Sequence, residues 1–284
     1  MIGEKGRDGP TVVVTGAAGG LGSATVRRLA AHGWRVFAAD LDSPDLQALT
    51  AAGDVVTVGC DVTDEGSVDA MSARVCAETP TLDAVVTFAG VVGIGPLVEI
   101  SAADFRRVLD VNVVGSFLVT RALFPLLLAA ARSGARSRVV LMSSETGWQT
   151  AMPFNGPYAI SKHAIEAYGD ALRRELALLG VDVVKVQPGA FRTGMVQGLM
   201  DRFERLAEDS EHYERVLRAA RKRIPQEERR AGDPADLAAL IERIVTAPRV
   251  RPAYRIHTNP QSAALDVLPT RLVDRLLLVA FKRA

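Results

Sequence analysis

Tyr158 and Lys162 stand four residues apart, which sets a phenol and an amine on one face of a helix. The chain has only five lysines and otherwise uses arginine. A compact ammonium enters a ribose-sized site where a guanidinium fork does not fit. A free tyrosine has a pKa of about 10 and is a poor base at neutral pH. A neighbouring ammonium favours the phenolate and brings the phenol into working range as an acid and base. A Y-x-x-x-K pair alone describes many ordinary helices, so its meaning depends on what surrounds it.

A second chemical signal lies near the amino terminus. Thr15-Gly16-Ala17-Ala18-Gly19-Gly20-Leu21-Gly22 follows a β-branched run and opens a helical pattern. Gly16, Gly20 and Gly22, with Leu21, give the tight turn and close backbone approach by which main-chain N–H groups hold a pyrophosphate at a helix start. The spacing is G-x-x-x-G-x-G rather than G-x-G-x-x-G. Asp40 ends the next β-branched run, where a carboxylate accepts hydrogen bonds from adenosine ribose hydroxyls and repels a 2′-phosphate. Neither Ala18 nor Leu41 offers a compensating cation, so NAD is expected over NADP. Asp61-Val62 ends the third run in the same way, with Asp61 placed to cap the adenine amine.

The elements that position these residues are short apolar runs alternating with longer helical patterns. Thr11–Thr15, Arg35–Ala39, Val55–Val58, Ala84–Thr87, Arg138–Met142 and Val181–Val186 read as strands covered on both faces. Leu21–His32, Pro44–Ala51, Glu65–Glu78, Ala102–Ala131 and Tyr158–Leu179 read as helices. The alternation predicts an α/β fold, a doubly wound parallel sheet of Rossmann type. The whole chain, 1–284, reads as one domain, with 195–230 as a helical, lid-like insertion near the carboxyl-terminal third. Its stripe is Met195, Leu199, Phe203 and Leu206, then Tyr213, Val216, Leu217, Ala220 and Ile224. A helix over Leu237–Val245, a short strand near Tyr254–His257 and an apolar tail follow.

Composition limits the function classes. At 284 residues, 48% hydrophobic and 24% charged, the chain can bury a full core and is not a disordered polymer. A net charge of +1 gives no electrostatic reason to expect nucleic acid as a partner. Cys60 and Cys76 cannot form a disulfide framework, and with no apolar leader visible the expected location is cytoplasmic. The longest apolar stretch, Ala122–Ala131, contains Pro125 and is short for a membrane span. The tail Leu272–Phe281 is expected to dock on the protein or another subunit rather than lie in a membrane interface. Four scattered histidines without a partner at ligand spacing give no metal site.

Order is what joins these signals. Asp40, Cys60–Val62, Phe88-Ala89-Gly90, Asn112-Val113-Val114-Gly115, Ser143-Ser144, Tyr158–Lys162 and Pro188–Thr193 follow the glycine loop in sequence. From Val12 to about Thr193 the chain resembles the short-chain dehydrogenase/reductase family. The resemblance implies Tyr158 as general acid/base, Lys162 binding the nicotinamide ribose and lowering the phenol pKa, and Ser144 orienting the substrate oxygen. It implies that Asn112 interrupts its helix and holds a water of the proton relay. Ala89 and Gly90 would approach the cofactor closely, and Pro188, Gly189, Phe191 and Thr193 would hold the nicotinamide carboxamide. The family pattern Asn-Asn-Ala-Gly is here Thr87-Phe88-Ala89-Gly90, and Ser144 lies 14 residues before Tyr158, one more than the commonest spacing, which leaves Ser143 as an alternative. The expected activity is NAD-dependent interconversion of a secondary alcohol and a ketone on a lipophilic small molecule of hydroxysteroid, retinoid or hydroxy-acyl type. The alternatives are an NADP(H)-dependent carbonyl reductase and a non-catalytic dinucleotide-sensing protein. Pairing of the long helices, as in the family, implies a homodimer or homotetramer.

Overall fold

In the computed structural model, which describes residues 9–194, 198–222 and 229–282, the apolar runs become parallel strands. These are β1 (Thr11–Thr15), β2 (Arg35–Asp40), β3 (Val55–Gly59), β4 (Ala84–Thr87), β5 (Arg138–Met142), β6 (Asp182–Pro188) and β7 (Ala253–Ile256). They form one seven-stranded sheet in the order β3-β2-β1-β4-β5-β6-β7, parallel throughout. The strands are continuously apolar because helices cover both faces. Val12 and Val14 enter one core with Val36, Ala38, Val184 and Val186, while Val13 enters the other with Phe37, Val85, Val139 and Val183. The first core is closed by α1 (Gly20–Ala31) and a later helix, Pro234–Thr246, and the second by the helices between β3 and β6.

The helices in between are α2 (Pro44–Gln47, continued by a 3₁₀ turn Ala48–Ala52), α3 (Glu65–Glu78), α4 (Ala102–Leu109), α5 (Gly115–Arg132) and α6 (Gly156–Ala177). The single helix read over Ala102–Ala131 is therefore two, joined by a π-helical turn at Asp110–Val114 that contains Asn112. By length and composition Ala102–Arg132 could cross a membrane, yet half of its apolar window is buried, with Leu118, Val119, Leu123 and Leu127 in the second core.

Beyond β6 lie α7 (Leu199–Asp209), α8 (Glu214–Arg221), α9 (Pro234–Thr246), α10 (Pro260–Leu265) and α11 (Thr270–Lys282). α7 and α8 form a hairpin in which Glu204 receives both Arg218 and Arg221. Leu199, Phe203 and Leu206 are half-buried, whereas Leu217 is fully buried. Met195 and Ile224, the ends of the apolar stripe, lie outside the described residues. Arg138, at the start of β5, is buried and donates to the Ile244 and Ala247 carbonyls, closing the carboxyl end of α9.

Candidate active site

The strand order reverses between β1 and β4, and in such sheets the crevice at the carboxyl ends of the strands is the ligand site. A cleft of about 810 Å³ lies there. It brings together Gly16, Gly20, Leu21, Gly22, Asp40, Asp61, Val62, Ala89, Gly90 and Thr193.

The glycines are dictated by contact. Gly16 has φ +65°, and a Cβ on it would lie 2.4 Å from the Ala89 nitrogen, so the first loop and the loop after β4 touch backbone to backbone. A Cβ on Gly22 would lie 2.1 Å from the Gly16 carbonyl oxygen. A Cβ on Gly20 would meet the Thr193 methyl at 2.9 Å, which brings the segment after β6 over the helix start. Asp40 accepts from the Ala18 amide through Oδ2 and from the Leu41 amide through Oδ1, both at 2.8 Å. Each oxygen keeps acceptor capacity toward the cleft. Asp61 Oδ1 accepts from the Thr63 amide and hydroxyl, and these two bonds hold its carboxyl below the ordinary value. Val62 packs against Gly115, where a Cβ would lie 2.8 Å from a Val62 methyl, so α5 can approach the cleft floor only through glycine.

The second group stands where β5 meets α6. Pro157 sits in the first turn of α6, a position that lacks a helical partner for its missing N–H. Tyr158 follows, its amide donating to the Gly93 carbonyl at 3.3 Å. Asn112 is buried, and its Nδ2 donates to the Val91 carbonyl at 3.0 Å and to the Ser161 hydroxyl at 2.9 Å, while Oδ1 accepts from the Val91 amide at 2.8 Å. Ser161 in turn donates to the Tyr158 carbonyl at 2.7 Å. Asn112 thus ties the loop after β4 to the first turn of α6 and fixes the backbone that carries the phenol.

Both amide protons of Asn112 are spent on protein, and its main-chain carbonyl accepts from the Ser116 hydroxyl at 2.9 Å, which leaves that oxygen a second lone pair as an acceptor. The interruption of the helix at Asn112 stands as expected.

Ser144 and Tyr158 share a side-chain hydrogen bond. Ser143 turns the other way, its hydroxyl 2.6 Å from where a Cβ on Gly147 would be, which removes it as the alternative serine at the phenol. Burial pushes the Tyr158 phenol above its ordinary value, Ser144 draws it down, and the Glu145 carboxylate pushes it up. Lys162 Nζ lies 5.5 Å from the Tyr158 ring centre and donates to the Met142 carbonyl at 2.9 Å. With that single neutral acceptor, burial lowers the ammonium to about 8. Burial is the largest influence on both groups, raising the phenol and lowering the amine.

Pro188, Gly189 and Phe191, like Ser144, Tyr158 and Lys162, are not among the residues that line this cleft. Gly189 packs against the chain after β7, where its Cβ would lie 2.1 Å from the His257 carbonyl oxygen. Phe191 is buried in the first core, edge-on to His257 at 5.3 Å, and bridges to Gly232. The turn after β6 spends these residues on packing, and of the residues named there only Thr193 reaches the cleft.

Sequence reasoning also missed lining residues. Cys60, Thr63, Phe88, Val91 and Val111 border the cleft, as does the exposed guanidinium of Arg107 on α4. Nothing distinguishes Arg107 in sequence from its neighbour Arg106 on the same amphipathic helix. Burial and nearby carboxylates raise the Cys60 thiol to about 11, which makes it inert at neutral pH. A second, apolar cavity of about 860 Å³ lies between the Ala151–Gly156 loop, α8 and α11. Among the described residues no group of three His, Cys, Asp or Glu converges to hold a metal ion.

A doubly wound parallel sheet with a glycine-lined cleft at its switch point defines a dinucleotide-binding α/β protein. Residues 10–203 match the family model described as short chain dehydrogenase, and the chain belongs to that family of oxidoreductases. It is 34% identical over 196 residues to the 2,5-dichloro-2,5-cyclohexadiene-1,4-diol dehydrogenase of Sphingobium indicum, covering 68% of this chain and 77% of that enzyme. It is 34% identical over 284 residues to retinol dehydrogenase 16 of Mus musculus, covering 94% of this chain and 87% of that enzyme. An actinorhodin polyketide ketoreductase variant crystallised with NADPH superposes with a TM-score of 0.74 at 26% identity, over 88% of this chain and 96% of that one.

Proposed function

We propose that this protein is an NAD-dependent oxidoreductase that interconverts a secondary alcohol and a ketone on a lipophilic small molecule. The observation that carries the reading is Tyr158, hydrogen-bonded to Ser144 and beside the buried Lys162, its helix turn tied through Ser161 and Asn112 to Val91 of the glycine-lined cleft that holds Asp40. The cleft fits a dinucleotide: its glycines leave room at backbone distance and the start of α1 presents main-chain N–H groups. A bound nicotinamide dinucleotide supplies or accepts the hydride.

The residues of the chain do the rest. Gly16, Gly20, Leu21 and Gly22 hold the pyrophosphate at the helix start. Asp40 accepts from the adenosine ribose hydroxyls, Asp61 and Val62 border the adenine, and Ala89 and Gly90 let the backbone approach. Thr193 holds the carboxamide end. Lys162, whose ammonium donates to the Met142 carbonyl, would hold the second ribose. Ser144 donates to the substrate oxygen, and Tyr158 gives that oxygen its proton in reduction and takes it in oxidation. Asn112 acts as a positioning residue through Ser161.

The lipophilic substrate is supported by the half-buried Leu199, Phe203 and Leu206 and by the apolar second cavity. We read 195–230 as a lid over that substrate, which would exclude water during hydride transfer. A second reading, an NADP(H)-dependent carbonyl reductase, is favoured by Arg107, a cation in the same cleft as Asp40.

Turnover tests the proposal. Secondary alcohols, steroids and hydroxy acids are assayed with NAD and NADP in parallel, for the parent and for Tyr158→Phe. The variant should bind NADH as the parent does and lose turnover by about 10²–10⁴. Parental kcat in Tyr158→Phe removes the phenol from the reaction, and a parent that turns over nothing with either cofactor leaves the sensing alternative.

A further inference from the structure

Between β5 and α6 the chain runs through residues 143–155, whose regular structure is a single 3₁₀ turn, Glu145–Gly147. Ser144 and Glu145, both of which act on the Tyr158 phenol, stand at the start of this loop. Its ends are tied: the Ser143 amide donates to the Val186 carbonyl, and the Phe154 carbonyl accepts from the Gly95 amide, both at 2.8 Å. In between, the Gly147 amide donates to the Ser144 carbonyl and the Gln149 amide to the Glu145 carbonyl, bonds that shape the turn without fixing it to the sheet. Thr146 Oγ1, Trp148 Nε1 and Gln149 Nε2 are buried and have no hydrogen-bond partner among the described residues, so these side chains do not tether it. A reacting group keeps its geometry only when the shell behind it is held.

The hold comes from the chain after β7. The Arg255 guanidinium lies 3.6 Å from the Trp148 ring centre. α10 then lies along the loop as a splint. Just before it, the Asn259 amide donates to Glu145 Oε2 at 2.6 Å. Just after it, Asp266 Oδ1 accepts from the Thr150 amide at 2.6 Å and from the Thr150 hydroxyl at 2.7 Å. Further on, Phe281 of α11 meets Phe154 edge-on at 5.8 Å, so the tail docks on the far end of the same loop. Asp266 makes the most directional of these contacts, two short charge-assisted bonds to one residue. Its own side chain is exposed and lines neither cavity.

We infer that Asp266 is a positioning residue for catalysis: from the end of α10 it fixes Thr150, and so holds the loop that keeps Ser144 at the Tyr158 phenol. Its effect on turnover rests on the reaction proposed above, whereas its hold on the loop does not. An oxygen at this position can accept both Thr150 donors, and alanine can accept neither.

The test compares Asp266→Ala and Asp266→Asn with the parent, for turnover of secondary alcohols, for NADH affinity and for amide hydrogen exchange. In Asp266→Ala, kcat should fall about 10- to 100-fold, the scale of an ångström of misplacement. NADH affinity should stay that of the parent, because the loop does not line the dinucleotide cleft. Asp266→Asn keeps a neutral acceptor and should keep kcat within about threefold of the parent. Exchange in peptides covering residues 145–151 should speed up about tenfold or more in Asp266→Ala, with the glycine loop unchanged. Unchanged near-UV circular dichroism shows that the fold persists. Parental kcat in Asp266→Ala overturns the inference, as does an equal loss of kcat and NADH affinity, or a loss as deep in Asp266→Asn. Unchanged exchange in the loop overturns it as well. A parent that turns over nothing refutes the reaction and with it the effect on kcat, while the exchange comparison still confirms or overturns the hold on the loop.

Discussion

Lys162 should be a burden on the stability of this protein, and Lys162→Met should relieve it. Lys162 is 6% exposed, and in the folded chain its amine titrates at about 8 against an ordinary value of 10.5. The gap of about 2.5 pH units, at about 1.4 kcal/mol each, costs about 3 kcal/mol wherever both states are protonated, that is below about pH 8. Between about pH 8 and 10.5 the unfolded chain binds the extra proton, so the stability of the parent rises with pH through that window. Methionine keeps the apolar stem but strands the Met142 carbonyl, at a cost of about 1 kcal/mol. Lys162→Met should therefore be more stable than the parent by about 2 kcal/mol at pH 7. For a chain of 284 residues that amounts to about 3 °C in Tm. By pH 9.5 the parent has recovered about 2 of its 3 kcal/mol, and the two proteins should unfold together. Urea unfolding of the two, without added dinucleotide, at pH 7 and 9.5 measures both numbers, and taking the difference cancels every other titrating group. A variant no more stable than the parent at pH 7, or a difference that is the same at both pH values, refutes the reasoning. The same variant should lose turnover, because the site needs the charge that the fold resists.

Three other outcomes follow from the geometry. Asp40→Ala with Leu41→Arg removes the carboxylate at the ribose position and adds a cation, so kcat/KM should move from NAD toward NADP; a parent that already prefers NADP overturns the role given to Asp40 and favours Arg107. Glu145→Gln removes a negative charge that pushes the Tyr158 phenol up, so the rise of the alcohol-oxidation rate with pH should shift to lower pH; an unmoved profile shows that Glu145 does not act on the phenol. Arg138→Met strips the donors from the Ile244 and Ala247 carbonyls at the end of α9 and should destabilise the protein by about 3 kcal/mol in denaturant unfolding; a loss under 1 kcal/mol would show that the end of that helix is satisfied another way.

The sequence by itself determined the parallel sheet, since runs such as Thr11–Thr15 and Ala84–Thr87 have no polar face and must be covered on both sides. It determined the glycine loop, because a backbone contact such as Gly16 on Ala89 admits no other residue type. It also determined the Tyr158–Lys162 pair, whose spacing on a helix is a local property. Tertiary structure alone decided which residues of the turn after β6 meet the cleft. Thr193 does, while Gly189 and Phe191 are claimed by His257 and the core, a choice made by a segment some 65 residues further along the chain. Ser143 and Ser144 are identical in type and adjacent, and only the packing of Gly147 and Tyr158 around them separates their directions. Arg107 and Asp40 share a cleft because β1 pairs with both β2 and β4. The direction of the phenol and ammonium shifts was likewise hidden, because it depends on how completely each group is desolvated and which neighbour it meets. Local pattern fixes an element and its buried side; which distant residues face each other follows from how the elements pack.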